Sequence, residues 1–344
     1  WLQDKIFPVE AKLTADDVYW GTRLACVEMI RSGTVRFWDM YWQPEAVARA
    51  VQDAGIRASV ALPLVDGLDP DKSDALRADA ERSLDGLADA GPRVLPTLGP
   101  HSIYLVSEKS LHWVAELASE RDLPVHIHLS ETEGEVHDCV AAHGIRPAPY
   151  LDRIGLLTPS TLLAHGVWLD DDELSLVGER GATIVTNPVS NLKLAVGRVF
   201  PYAKARQHGI PVGLGTDGAS SNNSLDLFQD VKHLALVQKH AERDPAAMPA
   251  TEAWAVATGA RAPLLGQSGR VALGEPADFL LVRSDAPELT PGDLTADLVY
   301  AASGSVVDTT VVAGRALMRG GEIEGEAEVR VGAVASARRL GVIP

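Results

Sequence analysis

Two short stretches carry side chains able to do hydrolytic chemistry: Val125-His126-Ile127-His128-Leu129-Ser130-Glu131-Thr132 and Gly215-Thr216-Asp217-Gly218. In each, a short apolar run stops at a loop and a polar side chain stands at the stop. His128, a carboxylate three residues on at Glu131, and the distant Asp217 are the parts of a hydrolytic metal site: imidazole nitrogen and carboxylate oxygen as ligands, and a second carboxylate to move protons. His126 falls on the same strand face as His128 at period two, deeper in the sheet, where a supporting role suits it better than ligation.

These residues need a frame. Strand signals over residues 34–37, 57–64, 94–98, 125–129, 161–164, 183–185 and 212–214 each follow a helical pattern, for example 16–30, 44–53 and 73–90. Such alternation implies a parallel sheet. Asp39, His101, His128, His165, Asn187 and Asp217 all lie at or just past strand ends, where α/β barrels keep their working residues. The expected fold is therefore α/β, a (β/α)8-type TIM barrel rather than an open doubly wound sheet, with seven strand signals in place of eight. After about residue 263 the texture changes to short strand signals (268–274, 278–282, 306–312, 315–317, 320–323) separated by glycines and acidic residues, with no helix-length pattern until the last twenty residues. The division expected is a barrel over 1–262 and a small β unit with a terminal helix over 263–344.

With 344 residues, 46% hydrophobic and 23% charged, the chain can bury a large core and is not disordered. A net charge of −16 without a lysine/arginine cluster argues against nucleic acid and anionic membranes as partners. No apolar run approaches the ~18 residues of a membrane span. The two cysteines, Cys26 and Cys139, are far apart in the chain, which disfavours a disulfide framework and points to a reducing, cytoplasmic setting. A small-molecule substrate is expected; a homo-oligomer is left open.

Six motifs in order, Trp1-Leu2-Gln3-Asp4-Lys5-Ile6-Phe7-Pro8-Val9-Glu10, Gly99-Pro100-His101-Ser102, His126 to Thr132, Leu163-Ala164-His165-Gly166, Asn187-Pro188-Val189-Ser190-Asn191-Leu192-Lys193 and Gly215 to Leu225, resemble the amidohydrolase superfamily, nearest to its methylthioadenosine/S-adenosylhomocysteine deaminases. The resemblance implies a metal-dependent TIM barrel whose first strand carries a His-x-His pair, flanked by a β-sandwich built from both chain ends. It also implies that this sequence starts after that strand, so that two metal ligands and half the sandwich precede Trp1. The alternative, that His126 and His128 are themselves the first-strand pair, conflicts with the three strand signals before them.

The resemblance assigns roles. His128 and Asp217 are expected to ligate one divalent ion, zinc or iron; Glu131, His165 and Asp217 to be catalytic; Glu10, His101 and Glu131 to bind substrate. Glu10 matches the family's ribose-binding glutamate. Asn187, Ser190, Asn191, Asn222 and Asn223 are expected to shape loops, and Asp39 has no assigned role. The chemistry implied is hydrolytic deamination of an aminopurine nucleoside, with Glu131 shuttling the proton to the ring nitrogen, Asp217 taking a proton from the attacking water and His165 orienting it. A triazine-type chlorohydrolase or another nucleobase deaminase would keep the same residues, and a non-catalytic scaffold is the alternative of another class. The related deaminases place an arginine in the strand after Gly55-Ile56-Arg57-Ala58, and counting along this chain puts Leu62 there, with Arg57 on the opposite face. An uncharged nucleoside such as adenosine, 5′-deoxyadenosine or methylthioadenosine is therefore expected over S-adenosylhomocysteine, unless Lys72 or Arg77 compensates.

Overall fold

A computed structural model describes residues 6–267 and 269–343. The first five residues of the Trp1–Glu10 motif, and Ser268 at the head of the expected 268–274 strand, lie outside the described residues. Seven strands form one parallel sheet in sequence order: β1 (Arg36–Met40), β2 (Arg57–Leu64), β3 (Val94–Pro100), β4 (Val125–Leu129), β5 (Thr161–His165), β6 (Thr183–Thr186) and β7 (Val212–Leu214). Every neighbouring pair is parallel. At least one helix separates each strand from the next, and Leu227–Glu242 and Ala250–Ala257 follow β7. This is the (β/α) arrangement expected of a barrel-type α/β protein. His126 and His128 stand on the fourth strand, in the middle of the sheet rather than at its edge, which removes the first-strand alternative.

The strands form where short apolar runs can be covered on both faces. β5 and β6 are buried at every residue, as parallel strands between helices and barrel interior must be. Ile127, Leu129, Leu163 and Ile184 are fully enclosed in one core cluster, each burial stabilising by roughly 1.5–3 kcal/mol. Helix starts are fixed by side-chain caps: Thr14 with Asp17 for Ala15–Arg31, Ser107 for Glu108–Arg121, and Asp170 with Glu173 for Asp171–Arg180. β1 begins two residues later than the sequence suggests. Gly33 takes a left-handed turn (φ +85°) and Thr34 N–H still donates to Met29 O at 2.7 Å, so this residue ends the helix instead of opening the strand.

β8 (Phe279–Val282), β9 (Val307–Val312) and β10 (Arg315–Met318) form a separate antiparallel sheet in the order β10-β9-β8. The expected strand over 268–274 is a loop across its described part, with Val271 and Leu273 largely exposed: its alternation finds no partner strand among the described residues. The sequence also hid a helix, Leu294–Tyr300, whose start is fixed by Asp293 accepting from Ala296 N–H at 2.9 Å. The terminal helix Glu326–Arg339 packs on Ala15–Arg31, and it can do so because Gly332 lies against the Trp20 indole, where a Cβ would collide. No helix of the described residues is long and apolar enough to cross a membrane.

Candidate active site

His101, His128, Glu131, His165 and Asp217, brought from four different strand ends, line one cleft of about 1210 Å³. The chain reaches these positions through unusual backbone. Ser130 (φ +50°), His165 (φ +75°) and Asp217 (φ +62°) are non-glycine residues in the left-handed region, directly past β4, at the end of β5 and past β7. Such conformations cost of order 1–3 kcal/mol each and persist where the surroundings over-determine them. The surroundings do so here: Gly166 N–H donates to Leu129 O (3.0 Å) and Trp168 N–H to Ser130 O (2.8 Å), lacing the β5 loop to the end of β4. Asn187 presses so closely on β7 that a Cβ on Gly215 would run into its side-chain oxygen.

Two imidazoles are held in defined tautomers. His128 Nδ1–H donates to His101 O at 2.8 Å, and His165 Nδ1–H donates to Asn191 Oδ1 at 2.8 Å. Each therefore turns Nε2 away from its anchor, free of that bond. Burial, then the neighbouring His165, holds His128 below its ordinary pKa, so the ring is a neutral donor. His165 Nε2 lies 3.8 Å from Glu131 Oε2, and the His128 and His165 rings stack at 5.5 Å. His101 stacks on His128 at 4.5 Å and is pushed down to about 3 by burial, then by His128, which leaves it uncharged.

Burial by itself would raise Asp217, but the facing His165 and hydrogen bonds from Ser190 and Ser221 hold it below the usual carboxylate range. Its Oδ2 accepts from Ser190 Oγ (2.7 Å) and Ser221 Oγ (2.8 Å), its Oδ1 from Gly218 N–H (2.7 Å). A neutral imidazole nitrogen and an ionised carboxylate are the donor set of a zinc or iron site, and the tautomer set by His101 O gives His128 the correct nitrogen for it. Among the described residues no three His, Cys, Asp or Glu side chains converge as a complete cage. His128 and Asp217 thus fit a metal as part of a ligand set.

The other sequence candidates divide. Asn191 and Ser190 hold His165 and Asp217, and Asn222 Nδ2 donates to Thr216 O (2.8 Å) and to the buried Asp230 (3.1 Å), so the expected loop-shaping residues act directly on the site loops. Asn223 (φ +75°) ends the short turn after Asp217 and accepts from Lys193. His126 lies one step deeper than His128, edge-on to Trp38 at 6.2 Å, and its Nδ1 has no hydrogen-bond partner among the described residues. Asp39 also lines the cleft, with Oδ2 unpartnered and burial pushing it up to about 7. Glu10 stands one residue back: its Oε1 accepts from Tyr41 Oη at 2.8 Å, and it is Tyr41 that lines the cleft.

Leu62 is not where the count along the chain puts it. It lies in a shallow hollow with Trp42, Asp79 and Arg82 on the helix side of β2, away from the cleft. Lys72 pairs with Asp69 and Arg77 with Glu81 on the outside. The case against a charged substrate tail built on Leu62 therefore falls. Sequence reasoning also missed Tyr41, Glu135 and Asp230. Only Glu135 carried a signal, the Thr132-x-x-Glu135 spacing of a helix start.

Residues 1–317 match the amidohydrolase family. The chain is 49% identical to a 5′-deoxyadenosine deaminase of Methanoregula boonei, over 99% of this chain and 78% of the relative. It is 42% identical to 5-methylthioadenosine/S-adenosylhomocysteine deaminase 1 of Archaeoglobus fulgidus, over 95% and 78% of the two chains. Among solved structures, an adenosine deaminase of Xanthomonas campestris with bound zinc superposes with a TM-score of 0.92 at 33% identity, covering 100% of this chain and 80% of that one. An atrazine chlorohydrolase of Arthrobacter aurescens shares the fold at a TM-score of 0.86 and 22% identity, over 95% and 78% of the two chains.

Proposed function

The chain belongs to the amidohydrolase family, and from that membership we propose that it is a metal-dependent hydrolase that deaminates aminopurine nucleosides, with Glu131 as its proton shuttle. The observation that carries this reading is the Glu131 carboxylate set 3.8 Å from Nε2 of His165, in the cleft that His128 and Asp217 also line. The relatives named above act, by their names, on 5′-deoxyadenosine, methylthioadenosine and S-adenosylhomocysteine.

His128 and Asp217 are the residues assigned to hold the cation, zinc or iron. Bound there, it supplies a Lewis acid that lowers the pKa of water from 15.7 toward about 7. Deamination asks for attack by water at the ring carbon bearing the amino group, protonation of the adjoining ring nitrogen, and departure of ammonia. Glu131 takes a proton from the water and delivers it to the ring nitrogen, which makes the carbon more electrophilic. Asp217, kept ionised by its serine hydroxyls and His165, accepts the second water proton and passes it to the leaving amine. His165, fixed by Asn191, orients the attacking oxygen through Nε2. His101 offers a neutral ring for stacking or hydrogen bonding, and Glu10, braced by Tyr41, is assigned to the ribose hydroxyls.

Ammonia release from adenosine, 5′-deoxyadenosine, methylthioadenosine and S-adenosylhomocysteine, measured on metal-loaded enzyme beside a chlorotriazine, tests the proposal. Turnover of at least one nucleoside is expected. Chloride release without any nucleoside deamination would overturn it.

A further inference from the structure

Glu135 sits one turn into the helix Glu133–His143, five percent exposed, at the position where a helix-start glutamate ordinarily reaches back to the N–H of the capping residue. The cap itself is ordinary: Thr132 Oγ1 accepts from Glu135 N–H at 3.2 Å. The carboxylate goes elsewhere. Oε1 accepts from Ser130 N–H at 2.7 Å and Oε2 from Glu131 N–H at 2.9 Å. Those two N–H groups converge because Ser130 adopts φ +50°, and successive N–H groups at a left-handed turn form a small anion cradle.

Glu173 provides an internal control. It occupies the same third position of its helix, is buried to one percent exposure, reaches back to its own cap (Asp170 N–H, 3.1 Å), and is neutralised by Arg146 at 2.8 Å. No lysine or arginine pairs with Glu135 among the described residues, although burial disfavours its charge and pushes it up to about 7. A carboxylate buried without a cation is a costly way to start a helix. Thr132 already does that work.

We propose that Glu135 is the positioning residue of the active site: its carboxylate clamps the Ser130 and Glu131 amides and so aims the Glu131 side chain at His165 and the substrate ring. The inference rests on the reading of Glu131 as proton shuttle. Ser130 has no alternative hold on this turn from its own side chain, since its Oγ is buried without a hydrogen-bond partner among the described residues. Losing either clamp leaves the peptide that carries Glu131 held from its carbonyl side alone, by Trp168 N–H on Ser130 O (2.8 Å), and misplacement of a reacting group by about 1 Å can cost on the order of a hundredfold.

The test is the Glu135→Gln enzyme, which keeps the shape and one acceptor but offers an N–H₂ to the second amide, together with Glu135→Ala, Glu131→Gln and the double variant Glu131→Gln/Glu135→Gln. E135Q is expected to lower kcat about tenfold or more with KM within about twofold, E135A to lower it further, and the double variant to turn over no more slowly than E131Q. Backbone amide exchange on the metal-free protein supplies an independent readout: in E135Q the Ser130 and Glu131 amides exchange faster while those of Glu133–His143 keep their protection. Parental kcat in E135Q, a full additional loss in the double variant, or loss of protection throughout the helix would overturn the assignment. If E131Q itself turns over normally, the shuttle reading fails instead, and the amide exchange still decides whether Glu135 holds the turn.

Discussion

The two ends of the parallel sheet solve opposite problems with the same chain. At the C-terminal ends, Ser130, His165 and Asp217 hold left-handed backbone, and hydroxyls, amides and a buried Glu135 are used to keep polar side chains pointed into a cleft. At the N-terminal ends of β2 and β5 the polar groups are tied off. Arg57, opening β2, pairs with Asp278, whose side chain is enclosed, at 2.7 Å, Asp278 also accepts from Gln267 Nε2 (3.1 Å) and Ala313 N–H (2.7 Å), and Thr161, opening β5, donates to Leu156 O at 2.6 Å. The C-terminal ends hold strained backbone to present polar groups to the cleft; the starts of β2 and β5 satisfy theirs, and that of β2 joins the parallel sheet to the small β-sheet. Mutations at the two ends should therefore separate activity from stability.

The largest effect is expected at Glu131. Glu131→Gln should keep its metal content and fold but lose about 10²–10⁴-fold in kcat, the usual range for general acid/base catalysis; metal analysis beside steady-state kinetics checks it, and near-parental turnover removes Glu131 from the mechanism. At the opposite end, Asp278→Ala leaves Arg57 without its partner, and breaking a buried pair from one side typically costs about 3–5 kcal/mol. Denaturant unfolding should show that loss, while kcat at a temperature where the variant is folded stays within about twofold. A large fall in kcat there would erase the contrast between the ends.

Smaller effects sharpen it. Asn191→Ala removes the acceptor that fixes the His165 tautomer, and partners of this kind commonly carry about 10- to 100-fold in activity or metal affinity; an unchanged kcat would mean that His165 needs no such anchor. The smallest effect lies outside both ends, where the terminal helix docks. Burial would raise Asp17, but hydrogen bonds from Arg339 and Thr14 outweigh it and hold the carboxyl at about 2, against an ordinary 3.8. A depressed carboxyl stabilises the fold above the unfolded value and loses that contribution as pH falls. Stability to heat should thus weaken between about pH 4 and pH 2, and the part that Arg339 adds to the depression of Asp17 should vanish in Arg339→Ala. An identical acid profile in the variant would show that the pair contributes nothing to helix docking.

The legible part of the molecule is the part written in short-range pattern. Strands over Arg57–Leu64, Val125–Leu129 and Val212–Leu214 agree with their apolar runs to the residue, because a run covered on both faces leaves no freedom in where it stops. His101, His128, Glu131, His165 and Asp217 were recognisable because each sits where such a run meets a loop. Leu62 misled because counting along a strand says which residues share a face and not which face meets the cleft. Residues 269–274 misled because alternation makes a strand only when an edge is there to pair with. Tyr41, Asp230 and Glu135 left almost no trace, since what each touches is set by backbone conformation and packing rather than by spacing along the chain.

The order of the elements, the (β/α) alternation and the side chains able to bind metal and move protons follow from the sequence alone, because hydrophobic period and residue chemistry are local properties. Which nitrogen of His128 and His165 carries the proton, that Glu10 is braced by Tyr41 thirty-one residues away, and that Glu135 grips the turn ahead of its own helix were decided only by the tertiary structure. Hydrogen bonds are short-ranged in space: Tyr41 and Glu10, His128 and His101, and His165 and Asn191 meet only through the fold, and Glu135 meets the Ser130 and Glu131 amides only because Ser130 takes a left-handed turn that no residue pattern announces.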